Sequence, residues 1–294
     1  MPGRFGALGA HAFLALQRLL PKHFLTALVR RIAHVRVEAI KNFLIRSFVR
    51  AYRVDVEESA LPVPEGFEHF NAFFTRALTA GARPIDSAAD AVVSPVDGIT
   101  SAAGLIERGR LLQAKGLRYS LEDLLATDIA DAALFENGAF ATFYLAPYHY
   151  HRVHSPLAGE LSAARYVPGA LYSVNHLTVQ AQPRLFARNE RLICQFRTAA
   201  GPMIVIFVGA LNVGSISTRW TGTVTPRSKG VVEALRPSAD VPATIAKGEL
   251  VGWFNMGSTV IVLLPPATCV WREGLVFGAH VRMGEAIGRL LAPS

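Results

Sequence analysis

The chain has 294 residues, 51% hydrophobic and only 18% charged, with a formal net charge of +8. That length suits one large domain or two small ones. The charge excess is confined to the start: residues 1–54 are +9 with Glu38 the lone acid, and residues 55–294 are −1. A nucleic-acid binder carries its basic patch on the folded body beside polar or aromatic readers, so no nucleic-acid partner is expected.

The first fifth reads as basic amphipathic helices. Leu8, Ala12, Leu16 and Leu19 fall at helical spacing, and Pro21 interrupts them. Leu25, Leu28, Val29 and Ile32 then alternate with Arg30, Arg31 and Arg36, and a third stretch sets Ile40, Phe43, Leu44, Phe48 and Tyr52 against Lys41, Arg46, Arg50 and Arg53. The longest uncharged run, Phe5 to Gln17, is shorter than the about 20 apolar residues of a membrane span, and no small-x-small cleavage site follows it. Helices lying in the plane of an anionic membrane surface fit this pattern; the plainer alternative is a helical cap packed on its own domain. The expected division is a membrane-docking segment over 1–60 and a catalytic, β-rich domain over 61–294.

Leu61-Pro62-Val63-Pro64-Glu65-Gly66 reads as a linker. Phe67 to Leu78 is expected to be a short helix, as is Tyr119 to Ala126. Val92 to Ile99 reads as strand, turn, strand. Phe140 to Leu145, Leu192 to Phe196, Met203 to Val208 and Thr259 to Leu264 read as strands. The expected class is α+β, with basic N-terminal helices followed by a mainly antiparallel β core. Segments around Gly159 and Gly169, around Gly248, and around Gly284 each place a glycine turn before an apolar strand. They resemble the hairpins of lipoyl- and biotinyl-type barrel-sandwich domains. Cys194 and Cys269 lie in apolar contexts and read as buried free thiols of a reducing compartment.

Asn255-Met256-Gly257-Ser258-Thr259 sits directly before the apolar run 260–264. A serine hydroxyl can attack the preceding carbonyl, turning amide into ester. Elimination and hydrolysis then leave a ketone on the downstream piece. Glycine before the serine reaches the backbone angles this needs. The bland alternative is a turn before a strand, so the chemistry requires partners. Pro147 to Pro156 holds His149, His151 and His154, and histidine can take a hydroxyl proton near neutrality. A carboxylate would orient such a base; Asp97, in Pro-Val-Asp-Gly, is the candidate, although an Asp before Gly is often only a turn former. The histidines can also be read as metal ligands or core packing. No acid or cysteine lies near them in sequence, and zinc usually takes three or four ligands, so no metal is expected. Gly214-Ser215 is a second Gly-Ser, read as structural. Lys115-Gly116 and Lys229-Gly230 are candidate phosphate contacts outside any phosphate-loop motif.

Ser94-Pro95-Val96-Asp97-Gly98, Gln113-Ala114-Lys115-Gly116, Tyr150-His151-Arg152-Val153-His154, Ser173-Val174-Asn175-His176-Leu177, Phe186 to Arg191 and Gly257-Ser258-Thr259 occur in that order. Together they resemble the bacterial, pyruvoyl-dependent phosphatidylserine decarboxylases. The resemblance implies a zymogen that cuts itself at Gly257-Ser258 into a β chain, 1–257, and an α chain, 258–294. Ser258 becomes a covalent pyruvoyl group, which forms a Schiff base with the phosphatidylserine substrate. Asp97, His154 and Ser258 match the family's charge relay, and His151 matches a histidine of the decarboxylation step. The family commonly has Leu where this chain has Met256, and His149 matches no assigned role. The implied partners are phosphatidylserine, an anionic membrane surface and the sister chain, with pairing of two such heterodimers allowed. The implied location is peripheral, on the cytoplasmic face of the cell membrane. The competing activity is a membrane-associated serine hydrolase using Asp97, His154 and Ser258, for which the Gly-x-Ser-x-Gly elbow is missing. A lipoyl-like binding module is the non-enzymatic alternative.

Overall fold

The apolar run Thr259–Leu264 is buried at every position and occupies the middle of a nine-stranded antiparallel sheet. It pairs with Ala139–Tyr144 on one side and Gly201–Val208 on the other. β-branched residues with both faces covered suit this central place. The structure, a computed structural model, describes residues 20–114, 116–126, 132–212, 215–227, 229–257 and 259–292. Ser258, Lys115 and the Leu8–Leu19 periodicity lie outside the described residues, as do Gly214 and residues 1–7.

The sheet path runs open from Glu233–Leu235 through Gly159–Val167, Arg191–Thr198, Gly201–Val208, Thr259–Leu264, Ala139–Tyr144 and Gly98–Leu105 to His280–Val281, so it does not close into a barrel. A four-stranded sheet carries Arg152–His154 beside Leu250–Phe254, which in turn pairs with Ile216–Thr218. With N-terminal helices at Lys22–Ala33 and Glu38–Tyr52, the class is α+β and the sheets are antiparallel.

Two of the glycine turns noted in the sequence are near copies of each other. Gly248 N–H donates to Ser155 O, and Gly284 N–H donates to Ser94 O. Glu249 Oε2 accepts from Ala246 N–H at 2.8 Å, and Glu285 Oε2 accepts from Arg282 N–H at 3.1 Å. Gly248 and Gly284 have φ of +77° and +87°, and a Cβ on either would sit 2.7 Å from Ile85 Cδ1. Glycine is therefore required twice over, by conformation and by Ile85. The Ser-Pro turns that face these glycines also bond reciprocally: Val93 N–H donates to Pro156 O and His154 N–H donates to Pro95 O. This crossing sets the Asp97 turn beside His154.

Several elements are shorter than the sequence suggests. The expected 67–78 helix is only Phe70–Phe74, because the Thr75 hydroxyl takes Asn71 O and Leu78 turns away to bridge Ser59. Tyr119 belongs to the strand Leu117–Ser120, and the Ser120 hydroxyl caps the helix Leu121–Leu125. The 61–66 stretch is a packed turn: Gly66 N–H donates to Pro62 O, and Lys41 Nζ donates to Pro64 O. Cys194 and Cys269 are buried free thiols, as expected.

The leader helices bury Ala33 and Ile45, with Phe48 partly buried, against Phe67, Phe70, Phe73 and Phe74. Their apolar faces are only half used. Phe24, Leu28, Ile32, Ile40 and Phe43 remain exposed, Phe43 at 69%. No helix among the described residues is long and apolar enough to cross a membrane.

Candidate active site

His151 ends the loop that leads into the Arg152–His154 strand, and it is fully buried. Its Nδ1 lies 2.8 Å from His149 O. A carbonyl only accepts, so Nδ1 carries the proton and Nε2 keeps its lone pair. That Nε2 has no hydrogen-bond partner among the described residues. It lies where a side chain on Gly257 would have to go: a Cβ there would be 2.9 Å away. Gly257 is thus a glycine because His151 touches it. Burial holds the His151 pKa well below its ordinary value, so the ring is a neutral acceptor at pH 7. The Phe74 ring packs on it at 4.0 Å between centroids.

The backbone beside Gly257 is strained one residue earlier than the sequence implies. Met256 has φ +97°, a region that costs a non-glycine residue roughly 1–3 kcal/mol. Downstream, Thr259 is locked into the central strand opposite Tyr144 and Val208. Position 258 lies outside the described residues, but both of its neighbours are fixed.

Asp97 and His154 are neighbours without being partners. Asp97 takes Arg83 Nε at 2.9 and 3.0 Å and the Met283 N–H at 2.9 Å, and Arg83 also binds Glu58. His154 donates from Nδ1 to Gly248 O at 2.8 Å, so its Nε2 accepts from the Tyr150 hydroxyl at 3.0 Å. Burial lowers the His154 pKa, with the charge of Arg152 in the same direction, opposed in part by the hydrogen bond to Gly248 O and, less, by the charge of Asp97. Burial likewise pushes His149 down to about 4, and its Nδ1 accepts from Ala146 N–H. Neither Arg83 nor Tyr150 was signalled by the sequence as a partner. An arginine 14 positions from its aspartate leaves no periodic trace.

A cavity of about 200 Å3 opens on Gly257 and Met256. Phe48, Tyr52 and Phe74 form its apolar wall, and Ser173, Asn175 and Asn212 bring polar groups. Next to it, an apolar groove between the leader helices shares Phe48 and Met256 and is lined by Val29, Ile32 and Leu44.

Residues 70–289 match the family model described as phosphatidylserine decarboxylase, and residues 12–53 match a second model, described as PSD. The chain belongs to the phosphatidylserine decarboxylase family. It is 49% identical to the phosphatidylserine decarboxylase proenzyme of Azotobacter vinelandii over 282 residues, covering 94% of this chain and 97% of that one. The proenzymes of Methylococcus capsulatus and Pseudomonas putida are 49% and 47% identical, each match covering 96% of this chain and 98% of the relative. The two matched ranges, 12–53 and 70–289, include the leader residues that line the cavity and the Gly257 turn.

Proposed function

We propose that this chain decarboxylates phosphatidylserine to phosphatidylethanolamine and carbon dioxide, after cutting itself between Gly257 and Ser258. Family membership supports this activity over the serine hydrolase. The observation that carries the site assignment is the buried Nε2 of His151, without a partner among the described residues, against Gly257.

In the cut, the Ser258 hydroxyl adds to the Gly257 carbonyl and the amide becomes an ester. Loss of the Ser258 Cα proton then expels the Gly257 carboxylate. Water releases ammonia from the resulting enamine, leaving a pyruvoyl group at 258. His154, in the field of Asp97, is assigned the hydroxyl proton. To act, its Nε2 must first be released by Tyr150. The short chain stays in place without its covalent link, because Thr259–Leu264 is paired on both sides, His280–Val281 pairs with Gly98–Leu105, and Ala286–Leu290 pairs with Ala91–Val93.

The residues next to position 258 fit a pyruvoyl group: a cavity of about 200 Å3 opens on Gly257, and the neutral His151 imidazole lies against that same residue. That ketone supplies an electron sink for the pair released with carbon dioxide. His151 Nε2 is assigned to take a proton from the substrate ammonium and to return it to the substrate carbon once carbon dioxide has left. The polar groups of Ser173, Asn175 and Asn212 orient the headgroup, and Phe48 and Phe74 exclude water. The exposed Phe24 and Leu28, with Arg30 and Arg31 on the same helix, and the exposed Phe43 on the next helix support docking of the leader on an anionic bilayer, for which the cytoplasmic face is the assigned side. Acyl chains then leave the cavity along the apolar groove.

Denaturing intact-mass measurement tests this directly. The wild-type protein should give two pieces, 1–257 and a blocked 258–294, and Ser258→Ala should stay whole. His154→Ala should stay uncut, while His151→Ala should be cut yet inactive. A Ser258→Ala protein that still splits at 257 refutes the cleavage chemistry, and the reverse histidine pattern moves the cleavage step to His151.

A further inference from the structure

The side chain fastened most completely near the cut is Asn255. It is buried, and its Nδ2 donates to Ser215 Oγ at 2.7 Å and to Ser217 Oγ at 3.0 Å. Its Oδ1 accepts from Asn71 Nδ2 at 2.9 Å, and its backbone N–H donates to Ser215 O at 2.9 Å. The grips come from separate bodies of structure. Asn71 sits on the Phe70–Phe74 helix, which packs with the leader. Ser217 sits on the Ile216–Thr218 strand, and Ser215 directly precedes it. One residue beyond Asn255 is Met256 with φ +97°, and one beyond that is Gly257 against His151.

A left-handed methionine relaxes to negative φ unless its surroundings forbid it. Relaxation at Met256 would swing the Gly257 carbonyl away from its present place. We propose that Asn255 is a positioning residue for self-cleavage: the Asn71–Asn255–Ser215/Ser217 clamp holds Met256 left-handed and so keeps the Gly257–Ser258 bond presented to the histidines. This rests on the cut proposed above. The clamp also gives the second Gly-Ser, at 214–215, a physical role, since the Ser215 hydroxyl takes the Asn255 amide.

A double-mutant cycle separates positioning from mere support. Glycine adopts positive φ without penalty, so Met256→Gly should make the clamp dispensable. The readout is the rate of appearance of the two pieces by intact mass, with thermal unfolding measured on the same samples. Asn255→Ala is expected to slow cleavage at least tenfold in the wild-type background and less than threefold in the Met256→Gly background. A purely structural role would lower the melting temperature in both backgrounds and slow cleavage equally in both, which overturns the proposal. So does a folded Asn255→Ala protein that cuts at the wild-type rate. If Asn255→Ala does not fold, Ser217→Ala removes one arm only; its smaller slowing must likewise shrink in the Met256→Gly background. If the wild type is not cut, or Ser258→Ala is, the cleavage reading fails. If those two controls behave and the cycle shows no coupling, the clamp alone fails.

Discussion

Replacing Gly257 by alanine asks how tightly the imidazole is held against the proposed cut site. The added Cβ would lie 2.9 Å from His151 Nε2 and 3.5 Å from Leu145 O. Only the first contact is too short, and the ring would have to retreat by roughly 0.5 Å to reach ordinary van der Waals distance. It has nowhere to go: the residue is fully buried, Nδ1 is held by His149 O at 2.8 Å, and the Phe74 ring lies 4.0 Å away. Forcing one methyl into such packing costs about 1–3 kcal/mol. Borne wholly by the cleavage transition state, that is a slowing of roughly 5- to 150-fold. Protein from cell-free synthesis, sampled over time and denatured before mass measurement, gives the rate. Thermal unfolding of the same samples reports the part of the cost borne by the fold. A Gly257→Ala protein that cuts as fast as wild type, with an unchanged melting temperature, would mean that His151 does not press on this residue.

Four further outcomes follow from the same contacts. Arg83→Met leaves the buried Asp97 carboxylate with only the Met283 N–H among the described residues; breaking such a pair costs about 3–5 kcal/mol, and the melting temperature should fall by on the order of 10 °C. Tyr150→Phe frees His154 Nε2; with a hydrogen bond worth about 0.5–1.5 kcal/mol, cleavage should speed up roughly 2- to 10-fold, and a slower variant would remove His154 from the hydroxyl-proton step. Burial depresses the pKa of His149, His151 and His154 in the fold, so below about 6.5 the unfolded chain binds more protons than the folded one. Stability, measured by denaturant titration, should therefore be full above that pH and fall as pH drops from about 6.5 toward 4, by up to about 1.4 kcal/mol per pH unit for each group. Phe24→Ser with Phe43→Ser removes two exposed rings from the leader; sedimentation with phosphatidylserine-containing vesicles should weaken at least tenfold, since a buried aromatic is worth about 1.5–3 kcal/mol, with melting unchanged.

The elements that could be read from sequence are those whose pattern is local. Thr259–Leu264 announces itself by the unbroken apolar run Val260 to Leu264, and Glu38–Tyr52 by its 3.6-residue period. Helix ends set by a distant neighbour could not be read: Leu78 leaves its helix to bridge Ser59. Motif residues placed the site within a few positions, but not its wiring. Asp97 was expected to orient His154, whereas its oxygens go to Arg83 and Met283, and Tyr150 occupies the His154 ring. The 93–97 and 154–156 turns cross through backbone bonds between segments about sixty residues apart, and the separate bond from Gly284 N–H to Ser94 O brings Met283 to Asp97. The strain at Met256 was equally hidden, because it follows from Asn71 and Ser217, far from it in sequence.

One aromatic residue joins the proposed membrane-docking side of the molecule to its candidate site. Phe48 lines both the cavity that reaches Gly257 and the apolar groove between the leader helices. It packs on Phe70 and Phe74, at 5.1 and 5.8 Å between centroids, and Phe74 packs on His151. A leader acting only as an anchor would need no side chain in the cavity. Here the helix that presents Phe43 outward contributes the wall behind which the headgroup would react. The proposed docking face and the proposed substrate cavity thus share one surface, which is the arrangement a lipid substrate requires when its tails stay in the bilayer and its amine must reach residue 258.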